Sequence, residues 1–269
     1  MKLWKYLEGG GKRAIEVAHR RWGKDDVALH WAAISAMTRV GGLWHLLPLY
    51  AQARKAIWTA VNPHTGRRRI DEAFPPEIRE NTNEQEMFIR FKNGSTWQVI
   101  GSDNYDSLVG TSICGLTVSE WALANPSCWG YLAPIVAENN GFALFITTPR
   151  GKNHAHAMYK MAEKDAKWFA EVSNIDDTKA IPMEIVEAQR REYSAIYGVE
   201  AGDALIEQEF YCSFEAAILG SYYGKELARA QAEGRIKPTL QVEEGVSVHT
   251  AWDLGVGDTM AIWFWQAVP

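Results

Sequence analysis

Short apolar runs that alternate with helix-length amphipathic stretches constrain the fold of this 269-residue chain more than any other feature. The run at 13–18 is followed by a polar loop and an amphipathic stretch at 25–37, and the run at 43–49 is followed by another stretch at 52–61. This order is typical of βα units, which place parallel strands in one sheet and pack helices on its faces. We therefore predict an α/β fold with a mainly parallel central sheet flanked by helices.

A β-hairpin signal follows a polar, turn-rich segment over residues 62–86. The Asn93-Gly94 pair lies between two alternating runs, MFIRF and TWQVI, and this dipeptide favours the tight turn between antiparallel strands. Two further apolar runs, at 113–118 and 141–147, predict buried strands.

The pattern changes near Asn174 and again after Pro238. Segments 182–197 and 201–211 have the character of helices, with few strand signals between them. After Pro238, the runs VSVHTAWDL and TMAIWFWQ predict two strands joined by a GVGD turn. We therefore predict a core domain over 1–173, a helical lid or linker region over 174–220 and the opening strands of a second domain over 221–269.

Composition excludes several classes of protein. The chain is 47% hydrophobic and 23% charged, unlike a disordered, collagen-like or coiled-coil protein. A net charge of −5 argues against histone-like binding of nucleic acid through bulk positive charge, although it allows a local basic site. No apolar run reaches the ~20 residues of a membrane helix. The three cysteines are widely spaced, which favours reduced thiols in an intracellular protein.

The segment AHRRWGK at 18–24 has the spacing of a phosphate-binding loop. It follows a predicted strand and precedes a predicted helix, so its main-chain amides and the helix N-terminus would face an anion. Lys24 would reach the β and γ phosphates of a nucleotide, and Arg20 and Arg21 add positive charge. The alternative is a solvated basic turn in which one of the two acids after Lys24 caps the helix.

An acid follows a neighbouring predicted strand. The apolar run from Ile113 ends at Ser119-Glu120, where a carboxylate could polarise an attacking water beside Mg²⁺. Glu120 is therefore the candidate general base. The alternative is an ordinary surface glutamate at the end of a strand.

Seven segments, taken in order, resemble those of the large terminase subunit of tailed bacteriophages, a DNA-packaging motor with an N-terminal ATPase and a C-terminal nuclease. They cover most of the chain from about residue 12 onwards. The resemblance implies a P-loop NTPase fold followed by the first strands of an RNase H-like nuclease domain. The segments are HRRWGKD, PLYAQARKAIW, GSDNYDSLVG, LTVSEWA, GFALFITTPRGKNHAHAMY, QEFYCSFEAAILGSYYGKEL and HTAWDLGVGDTMAIW.

The resemblance implies ATP and Mg²⁺ as cofactors and a role for individual residues. Lys24 would be the phosphate-binding lysine of the Walker A loop, and Glu120 the catalytic carboxylate after the Walker B strand. Thr147 and Thr148 would be the coupling motif, since a hydroxyl pair beside the γ-phosphate can change partners when that phosphate leaves. Arg21 is a further candidate catalytic cation. The nucleotide-binding residues expected are Arg20, Arg21, Trp22, Gly23, Lys24, Asp25, Asp26, Thr147 and Thr148.

Three positions depart from the family pattern. Asp25 occupies the usual position of a loop Ser or Thr, and Ser119 that of an Asp; both positions contact Mg²⁺ or its water shell in sites of this class. We hypothesise that the two have exchanged chemistry, so that one hydroxyl and one carboxylate still serve the metal. Val109 replaces an arginine that can act in trans, for which Arg21, Arg54 and Arg150 are the candidate substitutes.

Asp253 is the candidate metal ligand of the second domain. By its position it matches the first carboxylate of the family's two-metal nuclease, which would use Mg²⁺ or Mn²⁺. Asp258, five residues on, is interpreted as structural. The other acids should come from later strands, so we expect the nuclease domain to be truncated and inactive in these 269 residues.

The resemblance implies ATP-driven translocation of double-stranded phage DNA into a prohead. The subunits would form a homo-oligomeric ring on the portal protein, partnered by the small terminase subunit, in the cytoplasm of the bacterial host and not in a membrane. Two alternatives stay open at this point. One is a non-catalytic or weakly active remnant that binds nucleotide or partners, and the other is a different P-loop ATPase such as a helicase.

Overall fold

The structure is a computed structural model that describes residues 1–103, 112–215, 224–237, 239–254 and 260–267. It divides into two compact units, Met1–Gly220 and Ser221–Pro269. Val109 and Asp258 lie outside the described residues, as do most of the GSDNYDSLVG segment and the GVGD turn.

The first unit is built on one eight-stranded sheet with the order β3-β4-β5-β2-β6-β7-β1-β8. The six strands from β5 to β8 in this order pair in parallel, while β3, β4 and β5 form an antiparallel edge. The predicted α/β fold with a mainly parallel sheet is thus confirmed. The strands are β1 (Arg13–Ala18), β2 (Gly42–Leu47), β3 (Arg79–Asn83), β4 (Phe88–Phe91), β5 (Thr96–Gly101), β6 (Gly115–Ser119), β7 (Phe142–Thr147) and β8 (Phe169–Ser173).

Helices cover both faces of this sheet, which is why its central strands are apolar along their whole length. On one face Ala14 of β1 packs with α1 and α2, and on the other face Ile15 and Val17 pack with α5 and α6. None of the described helices is both long enough and apolar enough to cross a membrane. The helices are α1 (Lys2–Glu8), α2 (Lys24–Thr38), α3 (Tyr50–Ala53), α4 (Arg69–Ala73), α5 (Ser127–Glu138), α6 (His154–Ala162), α7 (Ile175–Thr178), α8 (Met183–Tyr197) and α9 (Val199–Glu209).

The helix expected over 52–61 is different in the structure. Helix α3 ends at Ala53, and the chain continues as a π-helical turn, Arg54–Trp58. This turn buries Ile57 and Trp58 against the core. The wider turn replaces the regular 3.6-residue period that the sequence pattern predicted.

The second unit contains a helix and a hairpin. Helix α10 is Gly224–Ala232, and strands β9 (His249–Asp253) and β10 (Ala261–Trp265) pair antiparallel, with Asp253 opposite Ala261. These are the two strands that the sequence predicted there. Asp253 is exposed at the end of β9.

Candidate functional site

The candidate site lies at the carboxyl edge of the sheet, where β6, β7 and β1 end side by side. Parallel strands bring the loops at their carboxyl ends to one edge, and ligands of open α/β sheets bind in the crevice there. The loop after β1 leads into α2, β6 ends just before Glu120, and β7 ends at Thr147. Residues that are about 95 to 125 positions apart in sequence therefore meet.

The loop after β1 has the backbone of an anion-binding loop. Two of its residues have left-handed backbones, Arg21 at φ 68° and Gly23 at φ 91°. Glycine suits that conformation because it has no Cβ, whereas for an arginine it is strained. Within the described part of the chain, the main-chain N–H groups of Arg21, Gly23, Lys24 and Asp25 make no hydrogen bond. These donors at a helix N-terminus are suited to phosphate oxygens.

The other side of this loop is fixed by main-chain hydrogen bonds. The His19 N–H donates to Ser173 O at 3.1 Å, and the Arg20 N–H donates to Glu209 O at 2.9 Å. The buried His19 ring also lies 2.6 Å from the Thr178 hydroxyl, measured from Nε2 to Oγ1. The end of β8 and the helices after it therefore hold the loop after β1 in place.

Lys24 is the centre of the cluster and is only 7% exposed. Its ammonium Nζ lies 3.2 Å from Glu120 Oε1 and 3.3 Å from Thr148 Oγ1. Glu120 itself has a left-handed backbone, φ 52°, at the turn that follows β6. That conformation costs a non-glycine residue on the order of 1 kcal/mol, and it directs the chain so that the carboxylate meets Lys24.

Asp25 and Ser119 are in direct contact. The Ser119 hydroxyl donates to Asp25 Oδ1 at 2.6 Å, across 94 positions of sequence. The Nε2 atom of His45, a residue of β2, faces the same carboxylate oxygen at 3.5 Å. A carboxylate and a hydroxyl therefore lie together beside the loop after β1, as the hypothesis of exchanged chemistry requires.

The surroundings of Asp25 favour its ionised form. Burial alone would raise the pKa of Asp25, but the His45 ring, the Lys24 ammonium and the Ser119 hydroxyl together outweigh burial. The pKa of Asp25 therefore lies well below its usual range. The site keeps a fixed negative charge next to Lys24.

This donor set fits a Mg²⁺ ion that is shared with a nucleotide. Mg²⁺ prefers oxygen ligands, keeps several waters and is commonly held by one or two carboxylates together with substrate phosphates. Asp25 and Ser119 offer such oxygens beside the loop after β1. The described residues contain no group of three or more His, Cys, Asp or Glu side chains that could hold an ion without such a substrate.

Both threonines at the end of β7 are buried and hydrogen-bonded. The Thr147 hydroxyl accepts from the Ala122 N–H, in the turn after Glu120, at 3.0 Å and donates to Thr148 O at 3.0 Å. The Thr148 hydroxyl donates to Ala18 O at 3.1 Å and contacts Lys24. The pair thus connects the turn that carries Glu120 with the loop that carries Lys24.

The known proteins that this chain is similar to include large terminase subunits of bacteriophages. No family model matches the chain. The large terminase subunit of Escherichia phage T5 is 28% identical to it over 146 residues, which are 51% of this chain and 33% of that protein. The ATPase domain of the large terminase of Thermus phage P74-26 has a TM-score of 0.61 and 19% identity, covering 78% of this chain and 92% of that one. The resemblance to large terminase subunits is confirmed.

A second structure extends the match. The large terminase of a thermophilic bacteriophage has a TM-score of 0.60 and 14% identity, and the match covers 97% of this chain and 61% of that one. A structure of the same protein in complex with ADP has a TM-score of 0.58, 15% identity and the same two coverages. These likenesses show the α/β fold of terminase ATPase domains. The chain spans about a third of the length of the phage T5 relative.

Six of the residues predicted from the terminase resemblance converge on one cluster. They are Lys24, Asp25, Ser119, Glu120, Thr147 and Thr148. Their roles in binding nucleotide and metal stay predictions.

The other predicted residues are placed differently. The Asp26 carboxylate accepts from Arg69 Nε, at the start of α4, at 2.5 Å. Trp22 is half-buried, and the exposed Arg21 follows Arg20 in the loop. Asp253 belongs to the second unit, at the end of β9.

Arg20 is engaged by a residue that sequence reasoning missed. Glu209, at the end of α9, is 6% exposed and accepts from Arg20 Nε at 2.8 Å. It also pairs with Arg150, which follows the two threonines. Burial alone would raise the pKa of Glu209, but Arg20 and Arg150 outweigh it and hold that pKa below its ordinary value. Glu209 lies in the terminase-like segment QEFYCSFEAAILGSYYGKEL, but that resemblance does not indicate the pairing with Arg20 and Arg150.

Proposed function

We propose that this chain is the ATPase part of a large terminase subunit, an ATP-driven motor that translocates double-stranded phage DNA into a prohead. The observation that carries the proposal is the arrangement around Lys24. A buried lysine lies 3.2 Å from a glutamate at the end of a strand, beside a loop in which four main-chain amides make no hydrogen bond with the described residues. Nucleotide hydrolysis needs donors for the phosphate oxygens, a lysine and a carboxylate that orients the attacking water. The loop amides, Lys24 and Glu120 are groups of these three kinds.

Each residue of the cluster then has a definite task. The amides of the loop bind phosphate oxygens, and Lys24 binds the β and γ phosphates. Glu120 orients the attacking water and accepts its proton. Asp25 and Ser119 would hold Mg²⁺, which neutralises charge on the β and γ oxygens when bound. The Lys24–Glu120 contact keeps the lysine and the carboxylate within reach of one phosphoryl group.

The hydrogen bonds of the two threonines support a coupling role. Thr148 contacts Lys24, and Thr147 holds the turn that follows Glu120. When the γ-phosphate leaves, Lys24 loses a partner and can contact Thr148 or Glu120 more closely. A change at the phosphate is thereby transmitted to the ends of β6 and β7.

The wider assembly follows from the resemblance alone. The subunits would form a ring on the portal protein with the small terminase subunit as partner, in the host cytoplasm. Arg21, Arg54 or Arg150 would supply the cation that Val109 lacks. The second unit would begin an RNase H-like nuclease domain, with Asp253 as its first ligand for Mg²⁺ or Mn²⁺.

DNA-stimulated ATP hydrolysis tests the proposal. We expect turnover that rises on addition of double-stranded DNA and that both Lys24→Ala and Glu120→Ala abolish. Lys160→Ala and Glu80→Ala are matched controls, because both side chains are more than half exposed in ion pairs away from the cluster. Absence of turnover in the wild-type protein, or turnover that survives both site changes, would contradict the proposal.

A further inference from the structure

We propose that His45 is a positioning residue that orients the Asp25 carboxylate for metal binding at the nucleotide site. This inference rests on the proposed ATPase function and adds to it a residue from a different strand. It concerns a buried histidine in the middle of the sheet, where the sequence GLWHLL shows only an apolar run.

The alternation of β2 determines where His45 points. Leu43 and Leu47 belong to the core on the α2 face of the sheet, whereas Trp44 and Leu46 belong to the core on the opposite face. His45 therefore faces α2, since side chains two positions apart share a face. The first turn of that helix carries Asp25, and His45 Nε2 lies 3.5 Å from Asp25 Oδ1.

The burial and surroundings of the His45 ring indicate that its role is a polar contact with Asp25 and not packing alone. It is 1% exposed, and neither of its nitrogens makes a hydrogen bond with the described residues. Its ring packs edge-on against Trp97, with centroids 6.3 Å apart, a contact that a phenylalanine could also make. Buried polar atoms are normally hydrogen-bonded, so an imidazole used only for packing would be costly here. Among the described residues, its one ion-pair distance is to Asp25.

Both contacts to Asp25 use the same oxygen atom. Oδ1 accepts the Ser119 hydroxyl and faces His45 Nε2. Among the described residues no hydrogen bond or ion pair uses Oδ2, which leaves that oxygen for a metal ion or a metal-bound water. A carboxylate fixed through one oxygen presents the other in a defined direction, as the outer partners of metal ligands do in general.

Three substitutions of His45 separate positioning from packing. His45→Phe keeps the edge contact with Trp97 but removes both nitrogens. His45→Gln keeps an N–H near the position of Nε2, and His45→Asn moves that N–H back to the position of Nδ1. Thr117→Val is the matched control. Thr117 is a buried polar residue of β6, and it lies opposite His45 in the pairing of β2 with β6.

The measurement is Mn²⁺ binding to the full chain in the presence of ADP, followed by electron paramagnetic resonance, with Mn²⁺ as the probe. We expect His45→Phe and His45→Asn to weaken Mn²⁺ binding by about 10-fold or more, since outer partners of metal ligands typically contribute 10- to 100-fold. His45→Gln should stay within about 3-fold of the wild type, and Thr117→Val should not differ from it. The Mg²⁺ concentration for half-maximal ATPase should rise in parallel, with kcat at saturating Mg²⁺ little changed.

The outcomes distinguish this inference from the proposed function. Suppose that the wild type binds ADP and hydrolyses ATP, and that His45→Phe binds Mn²⁺ as tightly as the wild type. The inference about His45 is then overturned, and the proposed function stands. If His45→Phe does not fold, equal Mn²⁺ affinities of His45→Asn and His45→Gln overturn it instead. A wild type that neither binds ADP nor hydrolyses ATP overturns both.

Discussion

A buried glutamate in β1 leads to a sharp prediction about stability. Glu16 is fully buried, and neither of its carboxyl oxygens makes a hydrogen bond with the described residues. Burial raises the pKa of Glu16 from 4.5 to about 8, against the smaller opposing effect of the nearby Ser173 hydroxyl. The carboxyl group is therefore protonated in the folded protein at neutral pH and ionised in the unfolded chain.

The sign and size of the effect follow from this difference in pKa. Between pH 4.5 and 8 the folded state binds one proton more than the unfolded state at Glu16, so the free energy of unfolding falls as the pH rises. The slope is about 1.4 kcal/mol per pH unit, or roughly 3 kcal/mol between pH 4.5 and 7. Glu16→Gln removes this dependence, because glutamine does not titrate.

Urea unfolding at pH 5, 6, 7 and 8 measures the effect. We expect the unfolding free energy of Glu16→Gln minus that of the wild type to increase by about 1 kcal/mol or more for each pH unit. Subtracting the unfolding free energy of the wild type at each pH cancels the contributions of the other titrating groups. Glu80→Gln, at an exposed acid paired with Arg90, is the control for the same chemical change at the protein surface. A flat difference for Glu16→Gln over the whole range would refute the argument.

Two further predictions concern pairs in the candidate site. The double change Asp25→Thr with Ser119→Asp should retain more ATPase activity than either single change, because it restores one hydroxyl and one carboxylate; additive losses would count against the exchange of chemistry. Glu209→Gln should lower the unfolding free energy by about 2 kcal/mol in urea titrations, since Arg20 and Arg150 both lose their charged partner. A loss smaller than about 0.5 kcal/mol would mean that these ion pairs are solvated and weak.

The sequence predicted best the elements that local patterns determine. The strand, loop and helix around Lys24 follow from an apolar run, a glycine and a helical period close together in the chain. The hairpin of β4 and β5 follows from its Asn-Gly turn. These features depend on neighbouring residues, so tertiary contacts do not override them.

The two edge strands of the sheet were missed for a shared physical reason. Strands β3, with the sequence RENTN, and β8, with FAEVS, lie at the two ends of the strand order. An edge strand has one neighbour and is less covered than a central strand, so it needs no continuous apolar run. Their burial is accordingly partial, and neither sequence contains a continuous apolar run.

The candidate site was predictable in its main residues but not in its supporting contacts. Lys24 and Glu120 follow from motifs. The buried partner His45 comes from β2, with no motif around it, and Glu209 comes from the end of α9, at the start of a terminase-like segment that does not indicate its partners. Their roles depend on which strands and helices end at the same edge of the sheet, and only the folded chain determines that.

The most direct test of the central claim compares binding and hydrolysis of ATP by two variants. Glu120→Gln should bind ATP within about 3-fold of the wild type but hydrolyse it at least about 100-fold more slowly in single-turnover measurements, because a positioned base contributes 10²- to 10⁴-fold. Lys24→Ala should lose both binding and hydrolysis. Hydrolysis by Glu120→Gln at the wild-type rate, or undiminished ATP binding by Lys24→Ala, would contradict the assignment of this cluster as an ATPase site.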